Sequence, residues 1–335
     1  MRVAILHPNI DTDGRWIHDF VPKNDRYDFV LVPYAHDPKN WHERGDKTGL
    51  SEWRAHFTQV HRAMAVSPDV IVTNFPQLAL AASVRTALTA KKPNIVGWSY
   101  NLGDIGNPLK GRLSGYALNR SDQLIVHSSE EIDRYAEWHG LPRDKFRFVP
   151  LQCGALNVPA ADEPKPYAVA MGSAGRDYAT LAEAARGFDG KIIMVAKPDA
   201  VKGIDLPDNI SLRNGLTLHE CYSLNAGALF SVVPISNLET ASGQVTFISS
   251  MALGCPVIAT ECPGTRDYLT DGDGSYLIPP FDAEAMRAKM DTLWHDERTR
   301  TEMGVKAKEL WQNKYSDPVA GENLLVVLDE VTGNA

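Results

Sequence analysis

Short apolar runs alternate with helix-period segments along nearly the whole chain, and this alternation restricts the fold more than any other feature. VAILHP (3–8), FVLVPY (29–34), VIVTNF (70–75), NIVGWSY (94–100), QLIVHS (123–128) and FRFVPL (146–151) are rich in β-branched or aromatic residues. Pro, Gly or polar residues bound most of them, so each reads as a strand. Between them, 51–66, 76–90, 108–120 and 129–139 carry a helical period. Ser128 or Ser129 is the expected N-cap of the last, because Glu130, Glu131 and Asp133 suit a first turn. Strands this apolar are covered on both faces, and strands separated by helices pair in parallel. The predicted class is α/β.

NVPAADEPKP (157–166) breaks the rhythm with three prolines and no apolar period, as an interdomain linker does. A second series follows, with strands at 167–173, 191–198, 210–215, 228–235, 256–261 and 275–280. Its helices are expected near 177–187, 217–226, 243–253 and 282–293, with more from about 297 onward. The predicted organisation is an N-terminal domain over 1–156, a linker over 157–166, and a C-terminal domain over 167–315. A final helix over 316–335 is expected to pack back on the N-terminal domain. Ligands of open parallel sheets bind at the carboxyl ends of the strands, so a cleft between two such domains is the default site.

The chain has 335 residues, enough for two such cores. Its formal net charge of −8 argues against a general nucleic-acid binder, yet leaves room for a local cationic pocket that takes a small anion. No apolar run reaches the roughly 18 residues of a membrane span. The opening MRVAILHPNIDTDGRW reads as a strand rather than a signal peptide. Cys153, Cys221, Cys255 and Cys262 form no C-x-x-C pair, and the ten histidines show no metal-ligand spacing. Reduced thiols in a cytoplasmic protein without a structural metal are expected.

In the second unit, GSAGRDYATLAEA (172–184) leads from a strand end through Gly172, Ser173 and Gly175 to Arg176, then into a helix from near Asp177. Small residues let the backbone approach an anion, which the helix amides and the Arg176 guanidinium would face together. The alternative is a tight strand–helix turn whose arginine pairs with a surface acid. Lys197 ends the next strand on the same side of the sheet, where two cations would suit a diphosphate; a lysine extended into solvent is the alternative. In ETASGQVTFISSMALGCPVIA (239–259) a helix begins near Ser242, Gly243 and Gln244, with Val245 and Thr246 in its first turn. Its unpaired amides need acceptors, and the helix dipole favours phosphate oxygens there. Self-capping by Ser242 would explain one hydroxyl but not the run of small residues.

In the first unit, Asp11, Asp13 and Gly14 stand at the carboxyl end of the first strand, as contacts for a hydroxyl-rich ligand or as a solvated Asx-turn. His127 ends another strand on that side, as a ligand contact or a satisfied core histidine. NPLKGRLSGYALNR (107–120) sets Lys110, Arg112 and Arg120 beside Leu109, Leu113, Tyr116 and Leu118. That is a basic amphipathic face for an anionic membrane, or an ordinary surface helix.

SSMALGCPVIATECPGTRDYLTDGDGSYLIPPFD (249–282) resembles the donor-binding region of family-4 retaining glycosyltransferases. There E-A-M-A-x-G-x-P-V-I is followed by a glycine-containing loop, an acid, a D-G pair and a strand ending in proline. LTLHECYSLNAGALFSVVPI (216–235) resembles the helix and strand before it. DQLIVHSSEEIDRYAEWHGLPRDKFRFVPLQCG (122–154) more loosely resembles the last strand, helix and crossover of their N-terminal domain. The likeness covers most of the chain from about 90 to about 320. It implies a GT-B fold, two Rossmann-like domains with parallel sheets facing across a cleft. It also implies a nucleoside diphosphate sugar held mainly by the C-terminal domain, a carbohydrate or lipid-linked acceptor on the N-terminal domain, no cofactor and no obligatory metal.

By that likeness Arg176 and Lys197 neutralise the diphosphate, although the family's lysine follows its arginine more closely. Gly172, Ser173, Gly175, Ser242, Gly243, Gln244, Val245, Thr246 and Ser249 complete the donor side. The family's paired glutamates fall at Ala241 and Ser249 here. The carboxylate grip on a donor ribose hydroxyl is therefore missing or supplied by another group, and Glu239 reaches the sugar if the loop is two residues longer. HPNIDTDGRW replaces the family's glycine-rich loop after the first strand. WSYNLGD (98–104) puts Tyr100 and Asn101 where a T-x-H-D-like segment carries a histidine and an acid.

The implied reaction is metal-independent transfer of one sugar to an acceptor hydroxyl with retention, in polysaccharide, glycolipid or other glycoconjugate synthesis, with Arg176, Lys197 and Glu239 as catalytic groups. A cytoplasmic location, at the inner face of the membrane for a lipid-linked acceptor, goes with it. A non-hydrolysing nucleotide-sugar epimerase shares the fold but would need acid/base carboxylates and histidines in the cleft. A two-domain solute-binding protein conflicts with the cationic strand-end site and with the expectation of no export signal. A nicotinamide dehydrogenase conflicts with the lack of G-x-G-x-x-G after any early strand.

Overall fold

A computed structural model of the chain describes residues 1–8, 15–34, 48–90, 92–103, 105–172 and 175–334. It divides into two units, one of Met1–Val149 with Pro318–Ala335 and one of Pro150–Asp317.

The first unit runs β1 (Arg2–Leu6), β2 (Asp28–Val32), α1 (Leu50–Ala65), β3 (Val70–Asn74), α2 (Pro76–Ala87), β4 (Asn94–Trp98), α3 (Pro108–Leu118), β5 (Gln123–Val126), α4 (Glu131–His139) and β6 (Phe146–Phe148). Its strands pair in parallel in the order β2-β1-β3-β4-β5-β6. Side chains alternate along each strand, so the unbroken apolar runs feed two cores. Val3, Ile5, Val70, Val72 and Val96 face one side. Ala4, Leu6, Ile71 and Ile95 face the other, beneath Val60 of α1 and Leu78 of α2. The first side is covered by the C-terminal helix (Asp317–Thr332), which buries Leu324, Val327 and Leu328 there. Tyr27 Oη donates to Asp329 at 2.8 Å, and Asn94 Nδ2 to the Val331 carbonyl at 2.6 Å, fixing that helix to the unit. The cap position of α4 is Glu130, not Ser128 or Ser129, whose carbonyls instead accept from Glu131 and Ile132.

The second unit runs β7 (Ala168–Met171), α5 (Tyr178–Ala185), β8 (Ile192–Val195), β9 (Ile210–Arg213), α6 (Leu218–Gly227), β10 (Ser231–Val233), α7 (Gln244–Ala252), β11 (Val257–Thr260), β12 (Thr270–Asp271), β13 (Gly274–Ile278), α8 (Ala283–His295) and α9 (Glu297–Lys314). Its seven parallel strands follow the order β12-β13-β11-β10-β7-β8-β9. The proline-rich stretch 157–166 belongs to this unit, and the chain leaves the first unit at Val149, ahead of the expected 156. The stretch has side chains and amides with partners in the second unit. Ala161 N–H donates to the Ser223 carbonyl at 2.9 Å, and Glu163 pairs with Arg213 at 3.1 Å. Beyond β7 the chain moves outward to β8 and β9, then returns to the opposite side of β7 as β10.

Candidate functional site

That reversal creates a switch point between β7 and β10. Successive crossovers leave it toward opposite sides, so the carboxyl ends of the two strands open a crevice. Gly172 follows β7 with φ +131°, a conformation L residues rarely adopt. A Cβ there would lie 2.5 Å from both Nε and Nη2 of Arg176, so the guanidinium occupies the space a side chain would fill. Nε donates to the Met171 carbonyl at 3.3 Å, and Nη2 to the Thr246 hydroxyl at 3.0 Å. The backbone of Arg176 bridges Ile235 just beyond β10. Ser236 N–H donates to the Gly175 carbonyl at 2.9 Å, and Asp177 N–H to that of Pro234 at 3.1 Å. Asp177 then caps α5 by accepting from Thr180 N–H at 3.1 Å. Arg176 is half-buried. Burial lowers its pKa, Tyr178 and Cys262 oppose that, and a guanidinium so placed keeps its charge at neutral pH. Tyr178, whose hydroxyl donates to the Gly172 carbonyl at 2.5 Å, is pushed up to about 12, mainly by burial.

The helix that Thr246 belongs to, α7, has Gly243 as its cap, with φ +91° and no side-chain cap bond. Ser242 therefore does not cap it; its hydroxyl oxygen is buried without a hydrogen-bond partner among the described residues. The amides of Thr246 and Phe247 both donate to the Gly243 carbonyl, at 2.9 and 3.1 Å, which closes the Thr246 amide to a ligand. The amides of Gly243 and Val245 find no acceptor among the described residues. On the far side, the loop after β11 comes so close that a Cβ on Gly264 would lie 2.4 Å from the Ser242 carbonyl oxygen. A guanidinium, with two amides and a hydroxyl that lack partners among the described residues, thus gathers at the carboxyl ends of β7 and β10, which gives that place the chemistry of an anion site.

The remaining donor-side residues are placed less uniformly. Lys197 follows β8, the neighbour of β7, and is exposed, without an ion pair among the described residues. Glu239 is exposed on the loop before α7, with its N–H on Asn237 Oδ1 at 2.9 Å. Gln244 is buried and Val245 exposed. Ser249 is buried with its hydroxyl donating to the Thr246 carbonyl at 2.8 Å, so it points into its own helix rather than toward a ligand. Ala241 is buried too, so neither position matching the paired glutamates offers a polar group to a ligand. Ser173 lies outside the described residues.

Sequence reasoning missed Asn237 and Thr260. Asn237 accepts from the Glu239 and Thr240 amides at 2.9 and 3.1 Å and donates to the Thr240 hydroxyl at 2.7 Å, shaping the loop. A Ser-Asn pair just past a strand is a turn signal that could have found it. Thr260 accepts from Ile235 N–H at 2.9 Å and holds the end of β10, with no local signal to announce it.

In the first unit, Asp11, Asp13 and Gly14 lie outside the described residues. Tyr100 is a core residue, not an acceptor contact, because its hydroxyl meets His139 Nε2 at 2.8 Å inside the aromatic cluster of Tyr135 and Phe146. Asn101 is exposed and accepts from Gly103 N–H at 2.8 Å. His127 is the satisfied core histidine, with Nδ1 on the Val149 carbonyl at 2.7 Å and Nε2 on the Ser99 hydroxyl at 3.0 Å. Phe75 and Ser99, at the ends of β3 and β4, hold φ of +76° and +51°. Backbone strain of this kind is retained where a surrounding structure requires it.

Two parallel-sheet Rossmann-like units make the fold GT-B. It matches sucrose-phosphate synthase from Thermosynechococcus elongatus with a TM-score of 0.70, 16% identity and coverage of 100% of both chains. HepE from Anabaena in complex with UDP-glucose matches with a TM-score of 0.70 and 13% identity, over 98% of this chain and 100% of that one. Residues 189–296 match the family described as glycosyl transferases group 1. Among curated proteins, the capsular polysaccharide biosynthesis glycosyltransferase CapM of Staphylococcus aureus is 24% identical over 143 residues, 42% of this chain. A phosphatidyl-myo-inositol mannosyltransferase of Mycolicibacterium smegmatis is 28% identical over 97 residues, 29% of this chain. The chain spans 37% and 25% of the length of these two relatives.

Proposed function

We propose that the protein is a retaining glycosyltransferase that moves a sugar from a nucleoside diphosphate sugar to an acceptor hydroxyl in the assembly of a polysaccharide, glycolipid or other glycoconjugate. The observation that carries this reading is the Arg176 guanidinium, held over Gly172 and bonded to Thr246 beside the open amides of α7. The names of the curated relatives and the UDP-glucose complex of HepE support it. Diphosphate oxygens would accept from Arg176, the Gly243 and Val245 amides and the Ser242 hydroxyl, with Lys197 approaching from the next strand end.

As the bond from the anomeric carbon to the phosphate oxygen breaks, its electron pair stays on the diphosphate. A cation and amides already in place stabilise that growing charge more than they stabilise the ground state. The acceptor oxygen bonds to the anomeric carbon on the face the phosphate leaves, and the acceptor proton passes to the departing phosphate oxygen. This route needs no enzymic nucleophile, in keeping with Ala241 and Ser249 at the glutamate positions. Glu239 is assigned to hydroxyls of the donor sugar, and Asp11, Asp13, Gly14 and Asn101 to the acceptor. The proposed reaction takes no cofactor or metal and runs in the cytoplasm.

A thermal-shift panel of UDP-, GDP-, ADP- and dTDP-sugars tests the donor, since a bound donor raises the melting temperature by mass action. One of them should stabilise the protein and be consumed to free nucleoside diphosphate when an acceptor is supplied. Arg176→Ala should lower that turnover by about 100-fold or more while circular dichroism stays unchanged. Unaltered turnover in this variant would overturn the reading.

A further inference from the structure

The surface helix α3 is packed inside out. Its inner face is glycine: a Cβ on Gly111 would lie 2.5 Å from the Trp138 carbonyl oxygen, and one on Gly115 2.0 Å from that of His139. The helix therefore lies almost backbone to backbone on α4. His139 Nδ1 lies 3.1 Å from both the Gly111 carbonyl and the Ser114 hydroxyl, which fixes the rotation of α3 about its axis. Leu118 is buried, but Leu109, Leu113 and Tyr116 are 66%, 67% and 89% exposed. Their spacing puts them on one outward stripe. Beside the stripe runs a groove of about 510 Å³, lined by Trp53, Phe57, Leu80 and Val84 from α1 and α2 together with Leu109 and Leu113. Leu88, just past α2, is 80% exposed. A helix that buries its glycines and shows Leu109, Leu113 and Tyr116 to water forgoes much of the burial that ordinarily holds a helix down.

The charge around this face indicates what covers it. Residues 76–120 contain six Lys or Arg and a single acid, Asp104, in a chain whose net charge is −8, and of the six only Arg120 has an ion pair among the described residues, with Asp122 at 3.8 Å. Lys110 and Arg112, on the same helix, are exposed and form no ion pair among the described residues. A second copy of the chain offering the same face would bring like charges together. A bilayer with anionic headgroups answers both properties, accepting leucine and tyrosine below the headgroups and lysine and arginine among them. Among the described residues no helix is long and apolar enough to cross a membrane.

We propose that the outward stripe of α3, with the groove beside it, docks the first unit on the surface of a bilayer that contains anionic phospholipid. This goes beyond the transferase reading and does not rest on it.

Co-sedimentation of the full chain with vesicles tests it, comparing phosphatidylcholine alone with an equal mixture of phosphatidylcholine and phosphatidylglycerol. The protein should pellet with the mixed vesicles, and much less with phosphatidylcholine or at high salt. Leu109→Ser with Leu113→Ser and Tyr116→Ser, and separately Lys110→Ala with Arg112→Ala, should each lower the partition coefficient at least about tenfold. Leu218→Ser with Val305→Ser, exposed apolar residues of the second unit, should leave it unchanged. All the substituted side chains are exposed, and melting curves check that the variants fold; the pair that removes only charge serves if the apolar triple does not. Absence of pelleting, or pelleting that the α3 variants retain, overturns the proposal. So does concentration-dependent dimerisation that the same substitutions abolish while vesicles are ignored.

Discussion

The placement of Arg176 depends on a neighbour without a side chain. Gly172→Ala would set a methyl group 2.5 Å from the guanidinium and force an L residue to φ +131°. The arginine would have to leave Thr246, and the strained backbone should cost on the order of 1–3 kcal/mol. Gly272 separates the two effects, since it has φ +79° but a Cβ there would meet nothing within 4 Å. Denaturant titration should show both alanine variants destabilised, while only Gly172→Ala loses the donor-induced rise in melting temperature. If Gly172→Ala responds to donor like the parent protein, the guanidinium is not the group that binds it.

Elements were legible in the sequence to a degree that side-chain directions were not. The strand runs and helical periods appear where expected because burial on both faces of a parallel sheet writes itself into composition. Among the described residues, what was unforeseen is too short to carry a pattern: the two-residue β12 and the single 3-10 turns at Ile17–Phe20, Arg143–Lys145 and Pro198–Val201. Ser249 shows what a motif leaves out. Its place in the helix followed from alignment with the glutamate position, but a short hydroxyl side chain can bond back to its own helix, and it does. Tyr100 likewise sits at a strand end as expected, yet His139 draws its hydroxyl inward. The prolines of 157–166 reported missing N–H groups, not missing contacts. His127 is an element-scale case, because it joins the end of β5 to Val149 and Ser99. Burial pushes its pKa down to about 4, against a smaller upward pull from the Val149 carbonyl. The unfolded chain, with an ordinary imidazole near 6.5, therefore binds the proton first as pH falls. Stability from this group is complete above about pH 6.5, declines toward about pH 4, and amounts to about 3 kcal/mol. Urea midpoints at about pH 7 and about pH 5 should differ more for the parent than for His127→Gln. Equal differences in the two proteins would remove His127 from the account.

At the scale of the molecule, the cores of the two units are separate sets of residues, and each unit should respond to its own damage. Leu324, fully buried from the C-terminal helix against Val3 and Val72, supports only the first unit. Leu324→Ala should cost about 2–5 kcal/mol, and hydrogen exchange should quicken in β1 and β3 while β7 and β10 keep their protection. Equal loss in both sheets would mean that the chain unfolds as one cooperative block. The first unit is also a domain in two pieces, since its last helix follows the whole of the second unit in the chain. A ribosome therefore releases six strands of the first sheet long before the segment that shields Val3, Ile5 and Val72, and makes an entire domain in the interval. During translation the second unit can mature as it emerges. The first must wait with one aliphatic surface uncovered, and that interval is when a chaperone or a wayward partner would find it.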